Sequence, residues 1–428
     1  MKATTVDGFS AESNATRHIL GLQLSNSGHR LTGVVLATNG LGLRAHVDVI
    51  SSAKCELPDH LKVLFFGNES DSACQRSPRD CAAFAAEIAE LQSTLVQQLL
   101  TQTQLNPDQL LVIGTHDPGL WYKYPNGQRA SLSLCDTARL AESTGLSVID
   151  SFPARDLAQG GRGGPLWPLP LLVLFGHEIH QVNHGGWLVI ELRRQIHIYY
   201  FPSPGTTNHP HVFFQAVQPG MILLDLLVEQ LTAGQEKRDN GGRWAVQGRK
   251  IASLVHDWSR LDEFTNPPNW SPERPDGTPF LSLLQRAVHS RRTLQDTLCS
   301  ATHLVADGIC QAVHKAIPEQ VPVTAGILMG HGGQNGMLLR ELGERLPNFA
   351  WKLPHDFELD DDAIRAALVA ILAMLHVDHV PGNLPDITGA ETPRILGRLT
   401  PGTPRHWRRL LAEMAANRPP MMTLRHAI

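Results

Sequence analysis

Tyrosine and cysteine are scarce in this 428-residue sequence, with 4 and 6 copies, and aromatic residues make up only 6%. The cysteines (Cys55, Cys74, Cys81, Cys135, Cys299 and Cys310) contain no C-x-x-C pair. That pattern speaks against a zinc site or a disulfide framework and fits a reducing compartment. Basic charge is not in excess: 37 Lys and Arg against 41 Asp and Glu give a net charge of −4, the wrong sign for a nucleic-acid or anionic-membrane surface. The longest apolar run, LWPLPLLVLF at 166–175, is too short and too proline-rich to cross a bilayer. The opening MKATTVDGFSAESNATRH lacks the apolar stretch of a secretory signal. These absences lead us to expect a cytoplasmic protein with no membrane or nucleic-acid partner.

What is present is a globular composition, 42% hydrophobic and 18% charged, in a chain too long for one core. Segments 18–24, 31–38 and 43–50 read as strands divided by Gly, Ser and Asn turns. A helix over 81–100, a strand at 110–114, a helix near 137–144 and a strand at 146–150 follow. The second half repeats the plan loosely. It reads as strand, Gly-Gly turn and strand over 181–192, a third strand at 195–201, helices at 221–231 and 244–255, a long helix at 293–316 and a strand at 324–330. The division expected is an α/β lobe over 1–180 and a second over 181–428, with a cleft between them.

Three glycine clusters close apolar strands in this reading: GGRGGPL (160–166), NHGG (183–186) and GHGGQN (330–335). None is a Walker A loop or a G-x-G-x-x-G fingerprint. The stretch ARDLAQGGRGGPLWP (154–168) poses a sharper question, because a lone acid, Asp156, precedes four glycines and an arginine within five positions. Glycine is needed where φ turns positive or something approaches the backbone closely. The stretch is therefore either a plain surface turn or a loop of N–H groups with a carboxylate at its edge. In HEIHQVNH (177–184) the H-E-x-H of residues 177–180 lacks the i, i+4 spacing of the H-E-x-x-H zinc helix, and the histidines read as surface or hydrogen-bonded residues.

The order of these motifs resembles the anhydro-N-acetylmuramic acid kinase family. The matching passages are SFPARDLAQGGRGGPL (151–166), NHGG (183–186), QPGMILLD (218–225), DNGGRWAVQG (239–248), GHGGQN (330–335) and NLPDITGAETPRILG (383–397). The resemblance implies a two-lobed α/β sugar kinase of the actin/hexokinase-like fold, a duplicated ribonuclease-H-like plan. It implies ATP and Mg2+ as cofactors, and a sugar and a nucleotide as small-molecule partners, with a homodimer left open. The implied reaction is hydrolytic opening and phosphorylation of 1,6-anhydro-N-acetylmuramic acid in cell-wall recycling. Asp156 then corresponds to the general base, and His116 and Asp362 to sugar-binding positions. Ser25, Asn26, Ser27, Gly28, Gly185, Gly186, Gly330, Gly332, Gly333 and Asn335 correspond to the nucleotide site.

Departures from the family pattern fall on phosphate chemistry. In GLQLSNSGHR (21–30) His29 stands where the family has an acid, and Leu24 and Arg30 replace a serine and a glycine. A second acid becomes Ala216, HDPG (116–119) keeps only His116, SFP (151–153) loses an arginine, and NWSP (269–272) replaces K-S-x-G. The metal ligands are therefore left unassigned, with Asp117, Asp225 and Asp239 as candidate substitutes. The alternative reading is a catalytically inactive relative that binds a sugar or nucleotide as a sensor or partner protein.

Overall fold

The computed structural model describes residues 16–25, 28–66, 77–182, 185–202, 212–261, 280–289, 292–317 and 323–417. Two compact units are present, Met1–Leu174 with Arg365–Ile428, and Phe175–Ile364. Among the described residues, no helix is long and apolar enough to cross a membrane.

In the first unit β1 (Arg17–Leu24), β2 (Arg30–Asn39) and β3 (His46–Glu56) form an antiparallel meander. β4 (Leu110–His116) returns parallel to β1; a short hairpin, β5 (Leu120–Lys123) with β6 (Arg129–Leu132), stands apart; β7 (Val148–Asp150) runs parallel to β4. One face of the sheet packs on the helix Pro78–Thr103, whose Phe84, Ile88, Leu95, Val96 and Leu99 meet Leu20, Leu22, Leu24 and Val35. Ser77 starts that helix with a reciprocal cap, its hydroxyl accepting from Asp80 N–H at 3.2 Å. The other face receives the helix Asp361–Val377 at close range. Gly21 and Gly114 are paired in register, and a Cβ on Gly21 would collide with the carbonyl of Ala366, one on Gly114 with that of Val369. Glycine is required at both positions by close backbone approach.

In the second unit β8 (Gly186–Leu192), β9 (Ile196–Phe201) and β10 (Phe213–Val217) are antiparallel neighbours, β11 (Val323–Met329) pairs parallel to β8, and β12 (Ala350–Lys352) lies beyond it. Counted by the strands of each sheet, the first runs third, second, first, fourth, fifth, sixth and the second runs third, second, first, fourth, fifth. The loose repeat in the sequence is therefore a repeat of topology. Leu188, Ile190, Leu192, Ile196 and Ile198 bury one face of the second sheet against helices Met221–Leu231 and Leu294–Ala316.

Three expectations need correction. The chain returns to the first unit at Arg365, and β13 (Arg398–Thr400) adds antiparallel to β7, so the second unit does not extend to residue 428. Residues 181–182 end a helix, Pro168–Val182, rather than opening a strand. Its prolines lie at Pro168 and Pro170 in the first turn, where no intrahelical N–H is lost. The helix expected over 244–255 is a short turn at Ala245–Gln247 followed by the helix Ala252–Ser259. Gly248 breaks it, lying so close to the backbone of Gln295 that a Cβ would collide with that carbonyl.

Candidate active site

In the first unit the parallel strands β1, β4 and β7 end at Leu24, His116 and Asp150, so the residues that follow gather along one edge of the sheet. Ligands of open α/β sheets favour this carboxyl edge. Ser25, Gly28, His116 and Asp156 all fall there. Asn26 and Ser27, like NWSP (269–272), lie outside the described residues.

Asp156 sits on the short helix Pro153–Ala158 directly after β7 and is fully buried. Its Oδ2 accepts the Gly163 N–H at 2.8 Å and its Oδ1 accepts the Asn383 side-chain amide at 2.7 Å. The carbonyl oxygen of Asn383 is taken by the Arg394 N–H at 2.6 Å, which leaves its NH2 group to face Asp156. Arg162 points elsewhere: its guanidinium donates to the Ile387 carbonyl and its N–H to Thr388 O at 2.9 Å. Asp156 is thus held by neutral donors, one per oxygen, and each oxygen keeps a lone pair for a further proton or ligand. The glycine run has a direct explanation. A Cβ on Gly161 would collide with Asp156 Oδ2, and a Cβ on Gly163, where φ is +80°, would lie 2.8 Å from the Trp121 ring. The loop closes over the carboxylate only if it carries no side chains there.

Gly161→Ala should therefore displace the carboxylate and lower turnover about a hundredfold, the usual effect of a misplacement near 1 Å. Gly160→Ala, where φ is +76° but the space is open, should lower stability and leave turnover near wild type. Steady-state rates measured below both melting temperatures check this.

His116 is half-buried, edge-on to Trp167 at 5.6 Å and tilted to Phe152 at 6.5 Å. Arg365 lies over the Trp167 ring at 4.9 Å. Burial, with a smaller contribution from Arg365, holds the imidazole pKa down to about 4, so His116 is neutral at pH 7 and can both donate and accept a hydrogen bond. The turn after β1 is a tight reversal in which Ser25 N–H bonds Arg30 O at 2.9 Å and Gly28 adopts φ +58°. Glu56 brings a carboxylate there, in an exposed ion pair with Arg30 at 2.7 Å.

In the second unit the glycine clusters separate. β8 and β11 are parallel, with Gly186 opposite Val323 and Glu191 opposite Met329. Gly185 and Gly186 therefore lie at the opening end of the sheet, and Gly330, Gly332, Gly333 and Asn335 at its carboxyl end. Gly186 is dictated by packing, since a Cβ would meet the Tyr200 ring at 2.5 Å. Asp362 is the second residue of the helix Asp361–Val377, and its neighbour Asp361 accepts the Gly330 N–H at 2.5 Å. His331 in the 330–335 turn and three arginines whose charges act on it, Arg193, Arg194 and Arg238, were not anticipated. The doublet in ELRRQ was the available signal.

The three candidate substitutes, Asp117, Asp225 and Asp239, do not fit the magnesium site that the resemblance implies. Asp117 accepts from Gly119 N–H at 2.7 Å, Leu134 N–H at 3.0 Å and Ser133 Oγ at 2.6 Å. Asp239 accepts from Trp244 and Ala245 N–H, both at 3.0 Å. Asp225 pairs with Arg238 at 3.3 Å, and burial raises its pKa. Among the described residues no three His, Cys, Asp or Glu side chains converge on one point. Magnesium does use few protein ligands, but it requires carboxylates open to it.

The family model for anhydro-N-acetylmuramic acid kinase matches residues 20–402. The chain belongs to the anhydro-N-acetylmuramic acid kinase family. The protein of that name from Acaryochloris marina is 27% identical over 393 residues, covering 89% of this chain and 99% of its own. That from Nitrosomonas europaea is 30% identical over 309 residues, 72% of this chain and 80% of its own. A gluconate kinase structure from Lactobacillus acidophilus covers 94% of this chain and 97% of its own at 9% identity and TM-score 0.40, too distant to inform the site. Family membership accords with the two repeated α/β sheets of the actin/hexokinase-like sugar kinase fold. Of the residues matching family motifs, Asp156 and Asn383 are in direct contact, although 227 positions separate them.

Proposed function

We propose that this protein is an ATP-dependent anhydro-N-acetylmuramic acid kinase acting in the cytoplasm on a cell-wall sugar. The observation that supports it is the Asp156 carboxylate, held by the Gly163 N–H and the Asn383 amide with no guanidinium among the described residues bonded to it. Each carboxylate oxygen keeps a lone pair that a water proton can meet. In this reading Asp156 draws a proton from water as the water oxygen bonds the anomeric carbon. The bond from that carbon to O6 breaks, O6 takes the γ-phosphoryl group and ADP leaves. His116, neutral and able to donate or accept, meets a sugar hydroxyl, and the 330–335 turn meets the nucleotide.

The test is incubation with ATP and 1,6-anhydro-N-acetylmuramic acid, followed by mass spectrometry. The expected product is heavier than the sugar by one water and one phosphoryl group. Unchanged ATP, or a phosphorylated sugar with its anhydro bridge intact, overturns the reading. A non-catalytic relative would bind the sugar and leave ATP unchanged.

A further inference from the structure

The turn 330–335 is packed against the end of β8 and the start of the helix Met221–Leu231. A Cβ on Gly330 would lie 2.9 Å from Arg193 Cγ, and one on Gly332 would lie 2.9 Å from Met221 Sδ. The Met221 N–H donates to Arg193 O at 3.0 Å, and the Ile222 N–H to Arg194 O at 3.3 Å. Gly220 is required just before that helix because a Cβ would collide with the Arg194 carbonyl. These contacts fix the backbone of Arg193 and Arg194 beside the turn. Arg238 approaches from the following loop and is anchored at 3.3 Å to Asp225 of the same helix, while Arg193 Nη2 lies 3.9 Å from Asp361.

Three guanidinium groups thus act on one imidazole. Burial, and after it Arg238, Arg193 and Arg194, holds the His331 pKa down to about 3, so a neutral ring sits in a cationic field. Its Nε2 is buried with no hydrogen-bond partner among the described residues. A buried polar atom without a partner is costly, and one among arginines at the carboxyl ends of two parallel strands marks an anion-binding position. Guanidinium groups suit phosphate oxygens because their planar forks match them two at a time.

We propose that Arg193, Arg194 and Arg238, with His331 Nε2, clamp the phosphate chain of the nucleotide and supply charge neutralisation that family members draw from a carboxylate-held metal ion. The proposal rests on the kinase reading only for the identity of the anion as a nucleotide. It accounts for a chain that has lost acids at His29 and Ala216 and whose Asp117, Asp225 and Asp239 are committed elsewhere. Phosphoryl transfer depends on stabilising negative charge around the transferred group, and arginines perform this in other phosphotransferases.

Calorimetric titration of the full chain with ADP and with sodium tripolyphosphate, each with EDTA and with magnesium, tests it. Both should bind in EDTA, and magnesium should change the dissociation constants by less than about threefold. The double variant Arg193→Gln/Arg194→Gln should weaken both by about tenfold or more, and Arg193→Lys/Arg194→Lys by less, because lysine keeps charge and loses the fork. Circular dichroism melting identifies any variant that fails to fold. If so, Arg238→Gln, which leaves the strand end intact, replaces it, with the same expected loss. Binding that needs magnesium, or that survives the glutamine changes unaltered, overturns the clamp. Neither result depends on sugar turnover. A chain that binds tripolyphosphate through these arginines but phosphorylates no anhydro sugar would refute the kinase reading alone.

Discussion

Asp156→Asn should remove turnover almost completely, by about 10²–10⁴-fold for a lost general base, and should also lower the melting temperature. The second effect follows from the hydrogen bonds. Both groups that meet Asp156, the Gly163 N–H and the Asn383 NH2, are donors. A carboxylate accepts from both, whereas an amide presents one oxygen and one NH2, so one donor would face another. A buried donor left without an acceptor costs about 1–3 kcal/mol. The pair can be exchanged to separate these effects. In Asp156→Asn/Asn383→Asp the new amide accepts from Gly163 and donates to the new carboxylate, whose other oxygen still accepts from Arg394 N–H. The double variant should regain most of the lost stability while turnover stays at the single-variant level. Melting curves and ATP-coupled rates on the three proteins decide it. Recovery of turnover in the exchanged protein would show that a carboxylate at 383 serves equally well and that Asp156 is not uniquely the base.

Much of the fold was legible because its signals are local. Segments such as LTGVVLAT and LLVIG carry strand periodicity in themselves, and the helix expected over 221–231 is the helix Met221–Leu231. The helix Pro168–Val182 was not anticipated, and its prolines are no obstacle because they lie in the first turn, where they are compatible with a helix that they would break further along. The return of residues 365–428 to the first unit left no local trace, since it depends on β13 meeting β7 and on two glycines that admit a helix backbone. The site divides in the same way. Asp156 stood out beside its glycines, and NLPDITGAETPR stood out as a motif, but nothing within either segment indicates that they touch. Gly185 and Gly186 looked like ligand loops because glycine pairs at strand ends usually serve turns. Here the Tyr200 ring takes the space, a contact across strands that composition does not reveal.

Asp378→Ala should be the most destabilising single change outside the site. Arg17, at the start of β1, donates to Asp378 Oδ1 at 2.6 Å and Oδ2 at 3.1 Å, and to Gly40 O at 2.8 Å. Asp378 also accepts the Gly42 N–H at 2.8 Å and the Asn417 amide at 3.1 Å. The side chains are 6% and 1% exposed, so removing the acid strands a charge out of water, with Glu413 at 3.7 Å as the remaining carboxylate in an ion pair with Arg17. Breaking a buried pair from one side typically costs about 3–5 kcal/mol, on the order of 10 °C in melting temperature for a unit of this size. Replacing both partners, Arg17→Met with Asp378→Leu, should recover part of that, because an apolar pair carries no desolvated charge, although the Gly42 N–H still loses its acceptor. A single variant that melts within a degree or two of wild type would show that Glu413 closes in on Arg17. The consequence reaches the site through the chain. Asp378 follows the helix that packs under Gly21 and precedes, by five residues, the asparagine that holds Asp156. Loss of this tie should therefore reduce turnover on warming before global unfolding is seen, and it should do so with the affinity for tripolyphosphate in the other unit unchanged.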